Sequence, residues 1–258
     1  MEARVKSCAR DGDSIPSRRR EADRFAKHCL DAMNRGTPIT DHDVLQALRL
    51  WGFEKNRSRQ NVRPDNMNFV YSNTLGVIDN RRGQGAMQRD TMHYPNFCRL
   101  LNCWLEPNVR DMQLQPAHTT ITINSAYAGK LHRDAKNLGP SFVKAFGCCT
   151  GGALGYYQKD PGIRMDLKMV DSACGPPEIL DLQSNLILMD GTKAHYVQPF
   201  EGERFSVVWF TCSRYVQGSE YLDKALQEAG FPIDSKFHER SKKLQSMVVD
   251  QPAMKVST

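Results

Sequence analysis

The 258-residue chain has no stretch approaching the roughly 18 uninterrupted apolar residues that a membrane helix needs, so no contact with a bilayer is expected. Residues 1–20 carry no apolar core, which argues against a secretory signal. None of the eight cysteines has a partner at Cys-x-x-Cys spacing, so the pattern of a structural zinc site is missing. A disulfide scaffold is excluded on other grounds, because a chain this long can bury a sufficient core without staples. The cysteines therefore read as mostly buried free thiols in a reducing, intracellular compartment, cytoplasmic or nuclear. Internal repeats and low-complexity tracts are also missing.

What is present is ordinary in bulk: 40% hydrophobic and 25% charged residues, with a net charge of +6. That bias is compatible with DNA or RNA as a partner, and equally with plain solubility.

Residues 1–18 are polar, basic and aperiodic and are expected to be a disordered tail. Arg18, Arg19 and Arg20 read either as part of a nuclear address or as a solvated helix start. Residues 19–118 are expected to form a support region of helices and short strands. Phe25, Cys29, Leu30 and Met33 recur at helical spacing, and Thr40 opens a capping-box-like start before Val44, Leu45, Leu48 and Trp51. Gly52 closes that helix. Residues 54–66 read as a loop, Phe69–Ser72 and Leu75–Ile78 as two short strands, Asp79–Asp90 as a mobile loop, and Tyr94–Leu105 as a further helix.

From residue 119 the period changes to two. Thr119–Asn124 alternates, and β-rich runs follow at 141–147, 153–157, 178–182, 185–189, 195–199 and 204–212, separated by turn signals such as Gly151-Gly152 and Asp160-Pro161-Gly162. Many short strands with regular turns predict a sandwich or jelly roll over residues 119–214. Residues 215–258 carry a helical stripe at Leu222, Ala225, Leu226 and Ala229. The fold class expected is α+β, with flanking helices at both ends of a β core.

His132-Arg133-Asp134 is the one His-x-Asp in the chain. In an extended segment, residues two apart point the same way, so both can reach one metal ion. A third ligand must come from elsewhere, and His195, just after the strand-turn unit 186–191, is the best candidate. Two histidines and one carboxylate on one face of an octahedron suit non-haem Fe(II), and leave positions for a chelating 2-oxo acid and for O2. The same ligands also bind Zn(II) or Mn(II). Nine residues after His195 comes Arg204, which alternates with Phe205 so that Arg204 and Ser206 share a face. A guanidinium beside a hydroxyl suits the far carboxylate of a dicarboxylate. Each of these residues taken singly has a plainer reading as a surface pair, a structural histidine or an edge charge. Their joint spacing is what points to 2-oxoglutarate.

The runs 131–141, 150–154, 195–200 and 202–206 resemble the Fe(II)/2-oxoglutarate dioxygenase superfamily, and within it the TET/JBP-like branch with its algal and protist relatives. The resemblance covers residues 68–214. It implies a double-stranded β-helix (jelly-roll) core, with His132, Asp134 and His195 as iron ligands and Arg204 and Ser206 on 2-oxoglutarate. It also implies that Asn124 and Tyr127 contact the co-substrate. The implied chemistry is hydroxylation or oxidative demethylation, coupled to decarboxylation of 2-oxoglutarate. A nucleic-acid base, held by basic segments such as Arg81-Arg82-Gly83, is one substrate class. A protein side chain or small molecule is the alternative, and a non-catalytic binding module that kept the fold is the third.

Overall fold

The computed structural model describes residues 14–80, 82–110 and 113–248, together with the backbone of 254–257. Ser14 caps the first helix, α1 (Ile15–Met33), by accepting from the Ser17 amide, and a proline in its first turn favours the helical start. Helix therefore begins at Ile15, earlier than the aperiodic composition suggests, and takes in Arg18, Arg19 and Arg20. The remainder of the expected tail, residues 1–13, lies outside the described residues. Thr40 and Asp43 close a capping box on α2 (Asp41–Leu50), each side chain accepting from the other's backbone. That helix ends before Gly52, at Leu50, with Trp51 as its C-cap.

The segment read as a loop contains β1 (Lys55–Asn56), paired with β2 (Val70–Asp79). The two strands expected at 69–72 and 75–78 are one, because Asn73 and Thr74 between them pair with Ile123 and Thr122; Gly76, inside that strand, takes a φ of +84°. An added Cβ at Gly76 would lie 2.1 Å from the Thr119 carbonyl oxygen. Asp79–Asp90 is a hairpin and not a free loop: β3 (Gly85–Met87) pairs back on β2, and α3 (Arg89–His93) follows. Arg81 of that segment lies outside the described residues. Helix α4 (Pro95–Arg110) runs past Leu105 through Pro107, and Asn108 Nδ2 there donates to the Trp104 carbonyl.

The remaining strands are β4 (Thr120–Ser125), β5 (Asn137–Gly151), β6 (Leu154–Tyr156), β7 (Glu178–Leu180), β8 (Asn185–Met189), β9 (His195–Val197) and β10 (Phe200–Cys212). A short helix, α5 (Val170–Cys174), precedes β7; α6 (Glu220–Glu228), α7 (Phe237–Val248) and β11 (Met254–Ser257) follow β10. The strands form two antiparallel sheets. The larger has the order β1-β2-β4-β10-β5-β8-β11, with β3 on β2, and the smaller has the order β7-β6-β9. The architecture is mixed helix and antiparallel sheet.

Alternation divides the large sheet cleanly. Ile121, Ile123, Phe142, Phe146, Phe205, Val207 and Trp209 bury one face against α1, α2 and α4, where Trp104 stacks on Trp209 at 5.7 Å and Trp51 on Phe97 at 4.2 Å. Residues of the opposite parity turn to the small sheet. Val143, Ala145, Ile187 and Met189 pack there with Leu154, Tyr156 and Leu180. Val143, Leu154 and Met189 of this cluster also line a cavity between the sheets.

Of the described cysteines all seven are free, but only Cys29, Cys98 and Cys212 are buried. Cys148 is exposed, near the tip of the β5–β10 ribbon. Among the described residues no helix is long and apolar enough to cross a membrane.

Candidate metal centre

The connection between β4 and β5 lies against the start of β9. His132 and His195 exchange backbone hydrogen bonds, N to O at 3.0 Å in both directions, which sets their side chains next to each other. The Asp134 amide donates to the Gly191 carbonyl at 2.8 Å and so fastens the same segment to the turn before β9. Asp134 and His132 share a face, as period two demands, while the Arg133 side chain points the other way, to Asp160.

Each imidazole is held in the same manner. His132 Nδ1 lies 2.7 Å from the Lys130 carbonyl, and His195 Nδ1 lies 2.8 Å from the Lys193 carbonyl. A carbonyl oxygen can only accept, so each Nδ1 carries a proton, and in a neutral ring that leaves the Nε2 lone pair free. Both Nε2 atoms face Asp134, at 3.7 Å from Oδ1 and 3.8 Å from Oδ2. The ligating atoms of His132, Asp134 and His195 all lie within 4.8 Å of one another. Both histidines are buried. Burial, and then the neighbouring His195, push the His132 imidazole down to about 4, against the opposing pull of Asp134. A neutral imidazole is the form that ligates a metal.

On the facing wall, the strand register aligns Ser72, Asn124 and Ser206 in one row across β2, β4 and β10. Ser72 Oγ donates to Asn124 Oδ1 at 2.9 Å, Tyr127 Oη donates to the same oxygen at 2.7 Å, and Asn124 Nδ2 donates to Ser206 Oγ at 3.2 Å. Arg204 projects from the same face of β10. It is only 4% exposed, yet its Nε and Nη2 have no hydrogen-bond partner. Its contact is with the Phe200 ring, 5.4 Å from the guanidinium carbon. A buried guanidinium without acceptors is costly, and burial pulls its pKa down from the usual arginine range. An anion accepting from Nε and Nη2 would relieve that cost.

One cavity of about 640 Å³ is lined by His132, Asp134, His195, Asn124, Tyr127, Arg204 and Ser206. All seven residues singled out in the sequence are thus brought to one space, the triad on one wall and the Arg204 group on another. Three contributors were not legible. Ser72 was hidden because its row depends on strand register. Gly152 read only as a turn residue, but an added Cβ there would sit 2.9 Å from Arg204 Nε, so its bareness admits the guanidinium. Arg59, half-exposed in the segment after β1, also lines the cavity, and nothing in its local sequence signals this.

No family model matches the chain, and no curated protein matches it either. Solved structures that it resembles include NgTET1 in complex with 5mC DNA, at 15% identity and a TM-score of 0.37 over 55% of this chain and 61% of that one. An oxidoreductase of the 2OG-Fe(II) oxygenase family from Burkholderia pseudomallei follows at 14% identity and a TM-score of 0.38, over 68% and 82% of the two chains. OsALKBH1 is 12% identical, with a TM-score of 0.41 over 67% and 94%. The match thus spans less than two thirds of the length of the first of these chains.

Proposed function

We propose that the chain is an Fe(II)- and 2-oxoglutarate-dependent oxygenase, in which His132, Asp134 and His195 hold the iron and Arg204 holds the far carboxylate of the co-substrate. The observation that carries this reading is the pairing, in one cavity, of a two-histidine, one-carboxylate triad with a buried arginine whose Nε and Nη2 lack acceptors. The donor set fits iron: the imidazole nitrogens of His132 and His195 and a carboxylate oxygen of Asp134 would hold the ion, with room for exchangeable ligands. When bound, the iron and the oxo acid supply the chemistry that takes O2, 2-oxoglutarate and a substrate C–H bond to succinate, CO2 and a C–OH group.

The chain's own residues have separate tasks. The Lys130 and Lys193 carbonyls fix the imidazole tautomers and keep both Nε2 atoms on the metal side. Arg204 offers two parallel N–H donors to a carboxylate, and Asn124 and Tyr127 orient the Ser206 hydroxyl beside it. The apolar wall formed by Val143, Leu154, Val197 and Val208 keeps water from the reacting space. The two facing sheets are then the walls of a double-stranded β-helix of the TET/JBP-like kind, a placing supported by the residue runs around His132, His195 and Arg204. For the primary substrate we take a nucleic-acid base. The net charge of +6 and the half-exposed Arg59 on the cavity wall, in a segment that also carries Arg57 and Arg63, support that class.

The test is succinate formation from 2-oxoglutarate in air. It is expected to require added Fe(II) and to vanish in His132→Ala and Asp134→Ala proteins that keep their circular dichroism. Succinate at parental rates in either variant would remove the triad from the chemistry. Salt-dependent binding to DNA or RNA oligonucleotides checks the substrate class, and no binding at low salt would exclude it.

A further inference from the structure

We propose that Asp160 is a positioning residue that couples the two ligand-bearing segments, so that metal affinity is set by a carboxylate that touches neither the metal nor its ligating atoms. The inference rests on the metal-centre reading above.

Asp160 belongs to Asp160-Pro161-Gly162, which looks in the sequence like a turn and nothing more. Its side chain is fully buried, and it accepts four hydrogen bonds. Arg133 Nε and Nη2 reach its two oxygens at 2.6 Å each, in a bidentate pair. The amides of Gly162 and Ala194 donate to it at 3.2 and 2.5 Å. All three guanidinium nitrogens of Arg133 are engaged, because its Nη1 donates to the Met165 carbonyl at 2.7 Å. Both partners that matter adjoin ligands: Arg133 stands between His132 and Asp134, and Ala194 precedes His195.

The energetics explain why this is a positioning device and not simple stabilisation. A buried ion pair pays heavily for desolvation, and well-packed apolar residues often do as well in its place. What the pair supplies that apolar packing does not is directional constraint. Period two forces Arg133 outward whenever His132 and Asp134 point inward, so holding the guanidinium by two parallel bonds fixes the rotation of the whole tripeptide. The same carboxylate holds the amide before His195. Its oxygens therefore fix the separation of the His132 and His195 segments from behind, while the reciprocal backbone bonds between these two residues fix it from in front. Groups that orient metal ligands typically change affinity by about ten- to a hundredfold when removed.

The experiment is anaerobic titration of the metal-free full chain with Co(II), followed by its visible bands, beside the melting temperature of the same metal-free samples. Asp160→Asn, which keeps the size and removes the charge, is expected to weaken Co(II) binding by about tenfold or more. Arg133→Lys, which keeps the charge and loses the bidentate fork, should fall between it and the parent. Arg19→Gln is the control. It cuts another buried arginine, paired with Asp90 at 3.0 Å and remote in sequence from the triad, and should lower the melting temperature without weakening Co(II) binding. Affinities of Asp160→Asn and Arg133→Lys within twofold of the parent would overturn the proposal. So would a loss in Arg19→Gln equal to that in Asp160→Asn, because affinity would then track global stability alone. If Asp160→Asn does not fold, Arg133→Lys decides by the same criterion. A parent protein that takes up no Co(II) would overturn the metal-centre reading and this proposal together, an outcome distinct from a parent that binds and variants that bind equally well.

Discussion

The two faces of strand β10 are made by alternate residues of one sequence, and they obey different rules. Phe205, Val207 and Trp209 meet the helices and are at most 6% exposed, in a face closed by aromatic stacking. Arg204 and Ser206 are almost as well buried on the other face, at 4% and 8% exposure, but there the guanidinium lacks acceptors. Equal burial thus covers two situations. On the helix face it contributes stability, through roughly 1.5–3 kcal/mol for each large apolar side chain removed from water. On the cavity face it costs stability, and that cost is what a bound anion would recover. The difference is one of charge and not of burial or of partners alone: Trp209 Nε1 also lacks a partner, but it is a neutral donor, whereas the unpartnered Arg204 atoms belong to a cation.

The sharpest way to break the comparison is to truncate each face. Trp209→Ala should lose about 3–5 kcal/mol of unfolding free energy by denaturant titration. Its folded fraction should bind 2-oxoglutarate with unchanged affinity. Arg204→Met should do the reverse. It should leave the metal-free protein as stable as the parent or more so, and weaken 2-oxoglutarate by roughly a hundredfold, or about 3 kcal/mol, in calorimetric titration of metal-loaded protein. If Arg204→Met destabilises the metal-free fold as Trp209→Ala does, the two faces do not differ as described.

Gly152→Ala sharpens the comparison at one atom. The residue sits at a φ of +75°, and the new Cβ would crowd Arg204 Nε. The expected cost is about 1 kcal/mol of stability from the backbone alone. A several-fold loss of 2-oxoglutarate affinity should accompany it, as the guanidinium is displaced.

The smallest effect at neutral pH belongs to His118, a polar group on the helix side. It is buried against Phe231, and its Nε2 lies 2.8 Å from Asn102 Oδ1. Burial, with a smaller push from Arg240, lowers its pKa from 6.5 to about 3. Below pH 6.5 the unfolded chain takes up a proton that the folded chain refuses, so stability falls progressively between pH 6.5 and 3 and is unaffected above that window. His118→Gln should flatten that part of the stability profile in urea titrations at a series of pH values. An unchanged slope would mean that the imidazole is not held neutral.

The β core was legible in the sequence partly from alternation and partly, as in the wholly apolar run 186–189 of β8, from β-rich runs set between turn signals. Thr120, Thr122 and Asn124 against Ile121 and Ile123 is a pattern that only a half-polar sheet explains. The gathering of His132, Asp134 and His195 was legible for the same reason of period, together with a turn that brings the second histidine back. What could not be read depends on long-range register or on a single backbone angle. Asn73 and Thr74 looked like a break between two strands, because their pairing with Ile123 and Thr122 depends on strand register and not on local composition. Ser72 joins Asn124 only through pairing across 52 positions. Asp160 looked like a turn former because its partner Arg133 lies 27 residues away and reads as a spacer between ligands. The start of α1 was misplaced because Arg18, Arg19 and Arg20 look solvated. Yet Arg19 is 5% exposed, its guanidinium held by the Gly52 carbonyl and by Asp90.

The most direct test of the central claim is an anaerobic titration of Fe(II)-loaded protein with 2-oxoglutarate, following the visible charge-transfer absorption of the chelate in the parent, Asp134→Ala and Arg204→Met. A band that appears in the parent, vanishes in Asp134→Ala and needs roughly a hundredfold more co-substrate in Arg204→Met is the result predicted. A folded parent protein that gives no band, or an Arg204→Met protein that saturates at the parent's concentration, would contradict the assignment of the triad and the buried arginine to one co-substrate site.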